Sequence, residues 1–221
     1  MSHTDQNQQI FEEFTVPDAV RIRKSLELVK DYFHGEISKL CLLECGAARG
    51  GVANALCGKI ARCCGVDIHP RNMEGVEMRQ MDLNDGLPDF GVYFDVIFAG
   101  EVMEHLFDDV KFIKNCRERL TDGGLLVITV PNLLFILNRI RMLFGGMPVF
   151  FAYAPYHYRF YGKKTLRKIL EDNGFEVIKT RSSHILFSTR RSKIGKIFEL
   201  LGDVFPSIGA HLIISAKKTT D

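Results

Sequence analysis

The 221-residue chain is predicted to fold as a single α/β domain built around a parallel sheet. Short apolar runs typical of buried strands alternate with stretches of helical periodicity along most of the chain. The first apolar run leads through a glycine-containing turn into a helical stretch, which is the order of a βα unit. With 46% hydrophobic residues, a chain of this length can bury a full core.

The periodicity places each element in order. Residues 1–16 form a polar tail, and 17–34 form an amphipathic helix that should cover the ligand-binding edge of the sheet. Residues 84–91 should form a loop because they are rich in Gly, Pro, Asn and Asp. Further helices are predicted at 50–59, 108–120, 132–144, 162–173 and 192–202. Strands are predicted at 40–45, 62–67, 76–81, 94–100, 124–130, 174–178 and 211–216.

The first three predicted strands each deliver an acid to one edge of the sheet, namely Glu44, Asp67 and Asp82. Gly46 and Gly50 let the backbone after the first strand bend sharply and let a ligand approach the main chain. Asp67 follows this turn at about the twenty-residue interval expected of a ribose-binding acid. Each acid alone could be a helix cap or a turn residue. Together they favour a ligand with an amine, a ribose and an adenine-type base.

A dinucleotide is the main rival ligand. Three carboxylates would repel its pyrophosphate, and the turn reads G-x-x-x-G where a nicotinamide-binding domain has G-x-G-x-x-G. The sequence therefore disfavours a nicotinamide-dependent enzyme.

Two further motifs give the chain a resemblance to a known family. Residues 94–106 (FDVIFAGEVMEHL) and 122–132 (DGGLLVITVPN) follow the acid-ended strands in order. From about Leu40 to Lys217 the chain resembles the class I S-adenosylmethionine-dependent methyltransferases, including ubiquinone-type O-methyltransferases and methionine-biosynthesis W-like proteins. The resemblance implies a Rossmann-like, doubly wound, seven-stranded sheet that is mostly parallel with an antiparallel last strand. It also implies S-adenosyl-L-methionine as cofactor.

The resemblance carries cofactor contacts onto the matching positions of this chain. The glycine loop would hold the methionine part, the acid ending the second strand would hold the ribose, and the acid after the third would meet the adenine. Ala48 stands where the commonest loop has a glycine, and its methyl group could tighten the pocket. The implied cofactor-binding residues are Glu44, Gly46, Ala48, Gly50, Asp67, Ile68, Asp82, Leu83, Gly100 and Glu101.

Methyl transfer to oxygen would require removal of a proton from the acceptor. His105 and His157 are the candidate bases because imidazole titrates near working pH, and Glu104 is the third catalytic candidate, with Glu101 as an alternative. The Glu-His pair after the fourth strand could instead only shape the cofactor pocket.

The same four side chains resemble the Glu-x-x-Glu-His plus His set that binds a divalent metal in small-RNA 2′-O-methyltransferases. Two carboxylates and two imidazoles could hold Mg²⁺, Mn²⁺ or Zn²⁺. We assign no metal ligand, because many relatives with this short motif are metal-free.

Two segments beyond a minimal fold should determine the acceptor. Residues 133–161 are expected to form a lid over it or, alternatively, an apolar flap on the core. Residues 182–209 form a basic insertion before the last strand. Residues 1–110 carry ten basic and nineteen acidic side chains, whereas 111–221 carry nineteen and eight, which suggests an anionic partner unless the basic half is ordinary solvated surface.

These observations predict O-methylation of a small, quinone-, lipid- or glycan-linked acceptor. The alternatives are a methyltransferase-like accessory protein that binds a biosynthetic enzyme, or a metal-dependent RNA 2′-O-methyltransferase, although no aromatic RNA-binding signature is evident. The six cysteines show no paired zinc spacing, and no secretory leader or transmembrane segment is evident, so we expect a reduced, cytoplasmic setting. The oligomeric state stays open.

Overall fold

The computed structural model describes residues 19–47, 51–149, 156–186 and 193–220. The strands are β1 Cys41–Cys45, β2 Arg62–Asp67, β3 Val76–Gln80, β4 Phe94–Gly100, β5 Leu120–Pro131, β6 Phe175–Ser182 and β7 His211–Lys218. The helices are α1 Ala19–Tyr32, α2 Gly51–Leu56, α3 Asp109–Arg119, α4 Ile136–Leu143, α5 Lys163–Asp172 and α6 Lys193–Val204. Short 3₁₀ turns cover Met103–His105 and Pro206–Ile208.

The seven strands form one sheet in the order β3-β2-β1-β4-β5-β7-β6. Strands β1 to β5 pair in parallel, and β7 pairs antiparallel with both β5 and β6. The predicted mostly parallel sheet with an antiparallel last strand is therefore confirmed. The strand order reverses between β1 and β4, and ligands of open α/β sheets bind at the carboxyl ends of the strands beside such a switch point.

Two apolar clusters pack on the two faces of the sheet. Cys63 belongs to one cluster and Cys64 to the other, so these neighbours in β2 point to opposite faces of the sheet. Burial raises the pKa of Cys63 to about 12 and that of Cys64 to about 11. All six cysteines are free thiols; four are buried in the core, and Cys41 and Cys57 are partly buried beside it.

Several element boundaries differ from the predicted ones. Strand β5 begins at Leu120, opposite Phe94 of β4, rather than at 124. Helix α4 begins at Ile136 rather than 132, because the Asn132 side chain accepts a hydrogen bond from the Leu134 N–H and makes a turn first. Residues 84–91 contain no helix or strand, as predicted.

A buried charge network joins α1 to β6 and α6. The Lys24 ammonium group donates to Ser182 O, Glu199 O and Asp203 Oδ1 at 2.7, 2.9 and 2.8 Å. Arg181 bonds Asp203 and also Glu27 of α1, with both contacts at 2.6 Å. Arg181 lies one residue before the predicted basic insertion, and its charge is neutralised by these two acids within the fold.

Candidate active site

The glycine turn after β1 brings the main chain close to its neighbours. Gly46 has a φ of +71°, and an added Cβ would lie 2.6 Å from the Val102 side chain. The N–H groups of Gly46 and Ala47 both donate to Val66 O, which fixes the turn across the end of β2. Only glycine fits this position without strain.

Glu44 fixes the helix that follows this turn. Its buried carboxylate accepts hydrogen bonds from the N–H groups of Gly51, Val52 and Ala53 at 3.1, 3.2 and 2.7 Å. Burial raises the pKa of Glu44, and these three bonds oppose that shift. In this structure the carboxylate caps α2, so its observed contacts position the loop. Two predicted contacts, Ala48 and Gly50, lie outside the described residues.

The acids of the next two strands lie side by side along the same edge. Asp67 ends β2, is buried, and its carboxylate accepts a hydrogen bond from the His69 N–H at 2.8 Å. Asp82 follows β3, and its carboxylate accepts bonds from the backbone and side-chain amides of Asn84, both at 2.9 Å. The side chain of Ile68, which follows Asp67, is about half exposed. Leu83, which follows Asp82, packs on the core.

Glu101 follows β4 in a strained conformation with a φ of +56°. Its carboxylate lies 2.8 Å from Arg21 Nη1, 3.0 Å from Thr129 Oγ1 and 3.6 Å from His211 Nε2. An added Cβ at the preceding Gly100 would lie 2.7 Å from the Phe98 ring, so the ring would have to shift.

Arg21 was missed as a functional candidate by sequence reasoning. It lies on α1 and reaches the end of β4, and its Nη1 also donates to Thr129 Oγ1 at 3.2 Å. The only signal in the sequence was its place on a helix predicted to cover this edge of the sheet.

The three catalytic candidates come together beyond Glu101. Glu104 is 1% exposed, and neither of its carboxylate oxygens has a hydrogen-bond partner within the described part of the chain. The rings of His105 and His157 meet edge to face with centroids 4.7 Å apart. The N–H groups of Tyr158 and Arg159 donate to Glu104 O, which holds the second segment against the first.

Burial sets the protonation of this cluster. It raises the pKa of Glu104 to about 8 and lowers that of His157 to about 4, with His105 as a smaller cause. Burial also lowers the pKa of His105, whose Nδ1 lies 3.1 Å from Tyr156 O. At neutral pH both imidazoles are therefore neutral, and the carboxyl group holds its proton. An Nδ1–H donor to Tyr156 O leaves the lone pair on Nε2 of His105.

One ligand atom each from Glu104, His105 and His157 lies within 4.8 Å of the others, so these three could hold a divalent cation. Glu101, the fourth member of the predicted set, is paired with Arg21 and is absent from this group. The structure thus brings together three of the four residues.

The buried carboxyl group of Glu104 predicts a pH-dependent stability. Between its ordinary pKa of 4.5 and its folded value of about 8, the folded state holds a proton that the unfolded state releases, so stability falls as pH rises. Glu104→Gln removes this titration, and we expect its stability relative to wild type to increase from pH 5 to pH 8 by about 3–4 kcal/mol.

Urea unfolding at both pH values measures this difference. Glu118→Gln, at an exposed glutamate of α3, is the control and should follow wild type. A constant difference between Glu104→Gln and wild type at the two pH values would contradict the assigned protonation.

The segment predicted as a lid is fastened at both ends. Asn132 and Tyr161 form a parallel bridge, and the Leu133 N–H donates to Tyr161 O at 2.9 Å. The Tyr161 hydroxyl group donates to Asp109 at 2.8 Å. Residues 150–155, in the middle of this segment, lie outside the described residues.

Several basic side chains of the second half of the chain are paired within the fold. Lys179 pairs with Asp31 at 3.4 Å, and Arg181 is held by the network described above. Arg159 donates to Phe107 O. Two members of the predicted basic insertion, Arg190 and Arg191, lie outside the described residues. Within the described chain, no helix is long and apolar enough to cross a membrane.

Comparisons with known proteins agree with this architecture. The profile of a family described as a methyltransferase domain matches residues 11–180. A probable S-adenosylmethionine-dependent methyltransferase of Mycolicibacterium smegmatis is 30% identical over 145 residues, which cover 62% of this chain and 52% of the relative. The human mitochondrial ubiquinone biosynthesis O-methyltransferase is 30% identical over 104 residues, which cover 46% and 28%. The chain thus spans about half or less of the length of these relatives.

A solved structure shares the fold. Magnesium protoporphyrin IX methyltransferase from Synechocystis, determined with bound S-adenosylhomocysteine, superposes with a TM-score of 0.61 at 14% identity, covering 98% of this chain and 94% of that one.

Proposed function

Because this chain belongs to the methyltransferase domain family, we propose that it transfers the methyl group of S-adenosyl-L-methionine to an oxygen atom of a small, quinone-, lipid- or glycan-linked acceptor. The observation that carries the proposal is the pair of neutral imidazoles, His105 and His157, beside the buried Glu104. A neutral imidazole can accept the proton that a hydroxyl group must lose.

The residues at the carboxyl edge fit the donor. Gly46 is exposed at the turn, so its main chain is accessible to a ligand. Asp67 offers a carboxylate to ribose hydroxyl groups, and Asp82 with Leu83 offers a polar and an apolar contact to the adenine. When bound, S-adenosyl-L-methionine supplies a methyl group on a positively charged sulfur.

Arg21 and Glu101 suit the amino acid end of the donor. The guanidinium group can pair with a carboxylate and the Glu101 carboxylate with an ammonium group. Their existing contact, together with Thr129, holds both charges in place before the donor arrives. We place the acceptor between this pair and the segment 133–161, whose ends are fastened beside Glu104.

Within the cluster each group has one task. His105 is oriented by Tyr156 O, so Nε2 is the atom that accepts the proton. His157 packs against the His105 ring and helps to exclude water. Because Glu104 is protonated, it adds no negative charge that would raise the pKa of the acceptor hydroxyl group.

A panel of acceptors tests the function. The protein is incubated with S-adenosyl-L-methionine and phenols, quinol precursors, glycosides, amines and short RNA, and methylated products are identified by mass spectrometry. The proposal expects methylation of a hydroxyl group on a small acceptor. Products only on nitrogen or only on RNA would contradict it, and binding of the donor without any turnover would favour the accessory-protein alternative.

Metal-assisted transfer is the second candidate, favoured by the unpartnered Glu104 carboxyl group between two imidazoles. A cation there would ionise that carboxyl group and lower the pKa of an acceptor hydroxyl group. The imidazole mechanism predicts that the rate with the acceptor changes less than twofold after treatment with EDTA.

Calorimetric titration of Mn²⁺ and Zn²⁺ into the donor-free protein gives a second readout. Stoichiometric binding that Glu104→Gln abolishes, together with a rate restored by the ion, would replace the first candidate with the second. No binding above that of Glu104→Gln would leave the imidazoles as the base.

A further inference from the structure

The solvent side of α6 is apolar. Ile197, Leu200, Val204 and the following Phe205 are 55, 64, 60 and 53% exposed. They recur at intervals of three, four and one, which places the three helical residues on one face. Contiguous exposed apolar surface of this kind marks an interaction site more often than ordinary surface.

The acids of α6 do not lie on that face. Glu199 pairs with Arg23, and Asp203 pairs with Lys24 and Arg181, all on the side packed against α1 and β6. Lys196 is exposed beside Ile197. Among the described side chains of α6, the solvent face is therefore apolar and basic.

The end of α4 carries a second exposed apolar group. Residues 139–147 are all exposed and contain two arginines and no acid. Leu143 and Phe144 are 79 and 83% exposed, and Met147 is 57% exposed. Arg139 donates to Ser207 O at 3.0 Å, which joins α4 to the turn that follows α6.

We call the two groups together the apolar rim, and both flank the carboxyl edge of the sheet. Helix α4 follows the end of β5, and the turn after α6 leads into the start of β7, where Pro131 pairs with His211. The rim consists of Ile140, Leu143, Phe144, Met147, Ile197, Leu200, Val204 and Phe205.

We propose that the apolar rim docks on a bilayer that contains anionic phospholipids. Its apolar side chains enter the interfacial region, while Arg139, Arg141 and Lys196 meet lipid phosphates. The charge pattern points to this occupant: cations accompany both apolar groups, and the acids of α6 are neutralised on the opposite side. A second copy of the chain would bring the same cations against each other, which opposes that occupant.

The docked orientation presents the candidate active site to the membrane. The rim and the turn that carries Glu104 lie at the same edge of the sheet, after β5 and β4 respectively. A lipid-anchored acceptor could then reach the site from the bilayer. Docking itself needs neither donor nor acceptor, so it can fail or hold independently of the proposed methyl transfer.

Co-sedimentation with lipid vesicles tests the proposal. The protein is mixed with vesicles of phosphatidylcholine alone and with vesicles that also contain phosphatidylglycerol, at low and high salt. We expect the protein to bind the anionic vesicles more tightly than those of phosphatidylcholine alone, by about fivefold for each basic residue that contacts lipid. This preference should weaken at high salt. Leu143→Ser with Phe144→Ser, and separately Leu200→Ser with Val204→Ser, should each reduce binding at least tenfold.

Matched variants distinguish binding through the apolar rim from nonspecific adsorption to lipid. Tyr93→Ser removes an exposed aromatic residue that precedes β4 at the opposite edge, and it should bind as wild type does. Arg141→Gln with Lys196→Gln should reduce the preference for anionic lipid by about 25-fold and leave the contribution of Arg139. If the α6 variant does not fold by circular dichroism, the α4 variant carries the test.

Three results would overturn the proposal. These are no binding to anionic vesicles, equal binding by wild type and the folded rim variants, or a dimer in light scattering that the rim variants dissociate. The last would identify a second copy of the chain as the occupant.

Discussion

His105→Ala should lower kcat by about 10²- to 10⁴-fold, because the acceptor then has no base for its proton. His105→Asn is the sharper variant, since its amide can still donate to Tyr156 O but offers no basic nitrogen in place of Nε2. If His105 is the base, both variants should be equally slow. Recovery of activity in His105→Asn alone would show that the residue only positions the Tyr156 segment. The donor affinity of each variant, measured by calorimetry, should remain within about threefold of wild type.

The pH profile of kcat distinguishes a buried base from an exposed one. Because burial lowers the pKa of His105, and lowers that of His157 to about 4, both stay neutral below the ordinary value of 6.5. The rate should therefore hold its plateau at pH values below 6.5 before it falls with protonation. A half-maximal rate at pH 6.5 or above would contradict the assigned environment.

Asp67→Ala should weaken the affinity for S-adenosylhomocysteine by about 10- to 100-fold. The variant loses a charge-assisted contact to the ribose, which is typically worth about 1.5–3 kcal/mol. Isothermal titration calorimetry measures the effect without an acceptor, so the result does not depend on knowing the substrate.

Asp85→Ala is the matched control for this substitution. It removes an exposed carboxylate from the turn that follows Asp82 and should leave the affinity unchanged. Equal affinities of wild type and Asp67→Ala would show that the ribose lies elsewhere. Equal losses in both variants would indicate a general effect of charge.

The sequence was sufficient for the fold because its signals are local. Buried strands alternate with helical stretches, and the acids at strand ends occupy one edge as soon as those strands are parallel. The opposite orientations of the Cys63 and Cys64 side chains follow from the alternation of side chains along a strand. The late start of α4 was missed because a single side chain, Asn132, forms a turn at its amino end.

The electrostatic part of the site could not be predicted in this way. Arg21 forms a hydrogen bond with Thr129, which lies 108 positions later in the sequence. Lys24 does so with Asp203, which lies 179 positions later. No local pattern encodes such pairs, so the charge of Arg21 was overlooked, and the pairing of Arg181 with Glu27 and Asp203 could not be predicted. Glu101 and Glu104 illustrate the same limit, because they are three residues apart yet one is ion-paired and the other is buried without a partner.

A crystal structure with S-adenosylhomocysteine tests the central claim most directly, because it locates the donor relative to the imidazole pair. We predict the ribose at Asp67, the adenine beside Asp82 and Leu83, and the sulfur atom facing His105 and His157. Density for the ligand at any other edge of the sheet, or a sulfur atom turned away from the two imidazoles, would contradict the proposed site.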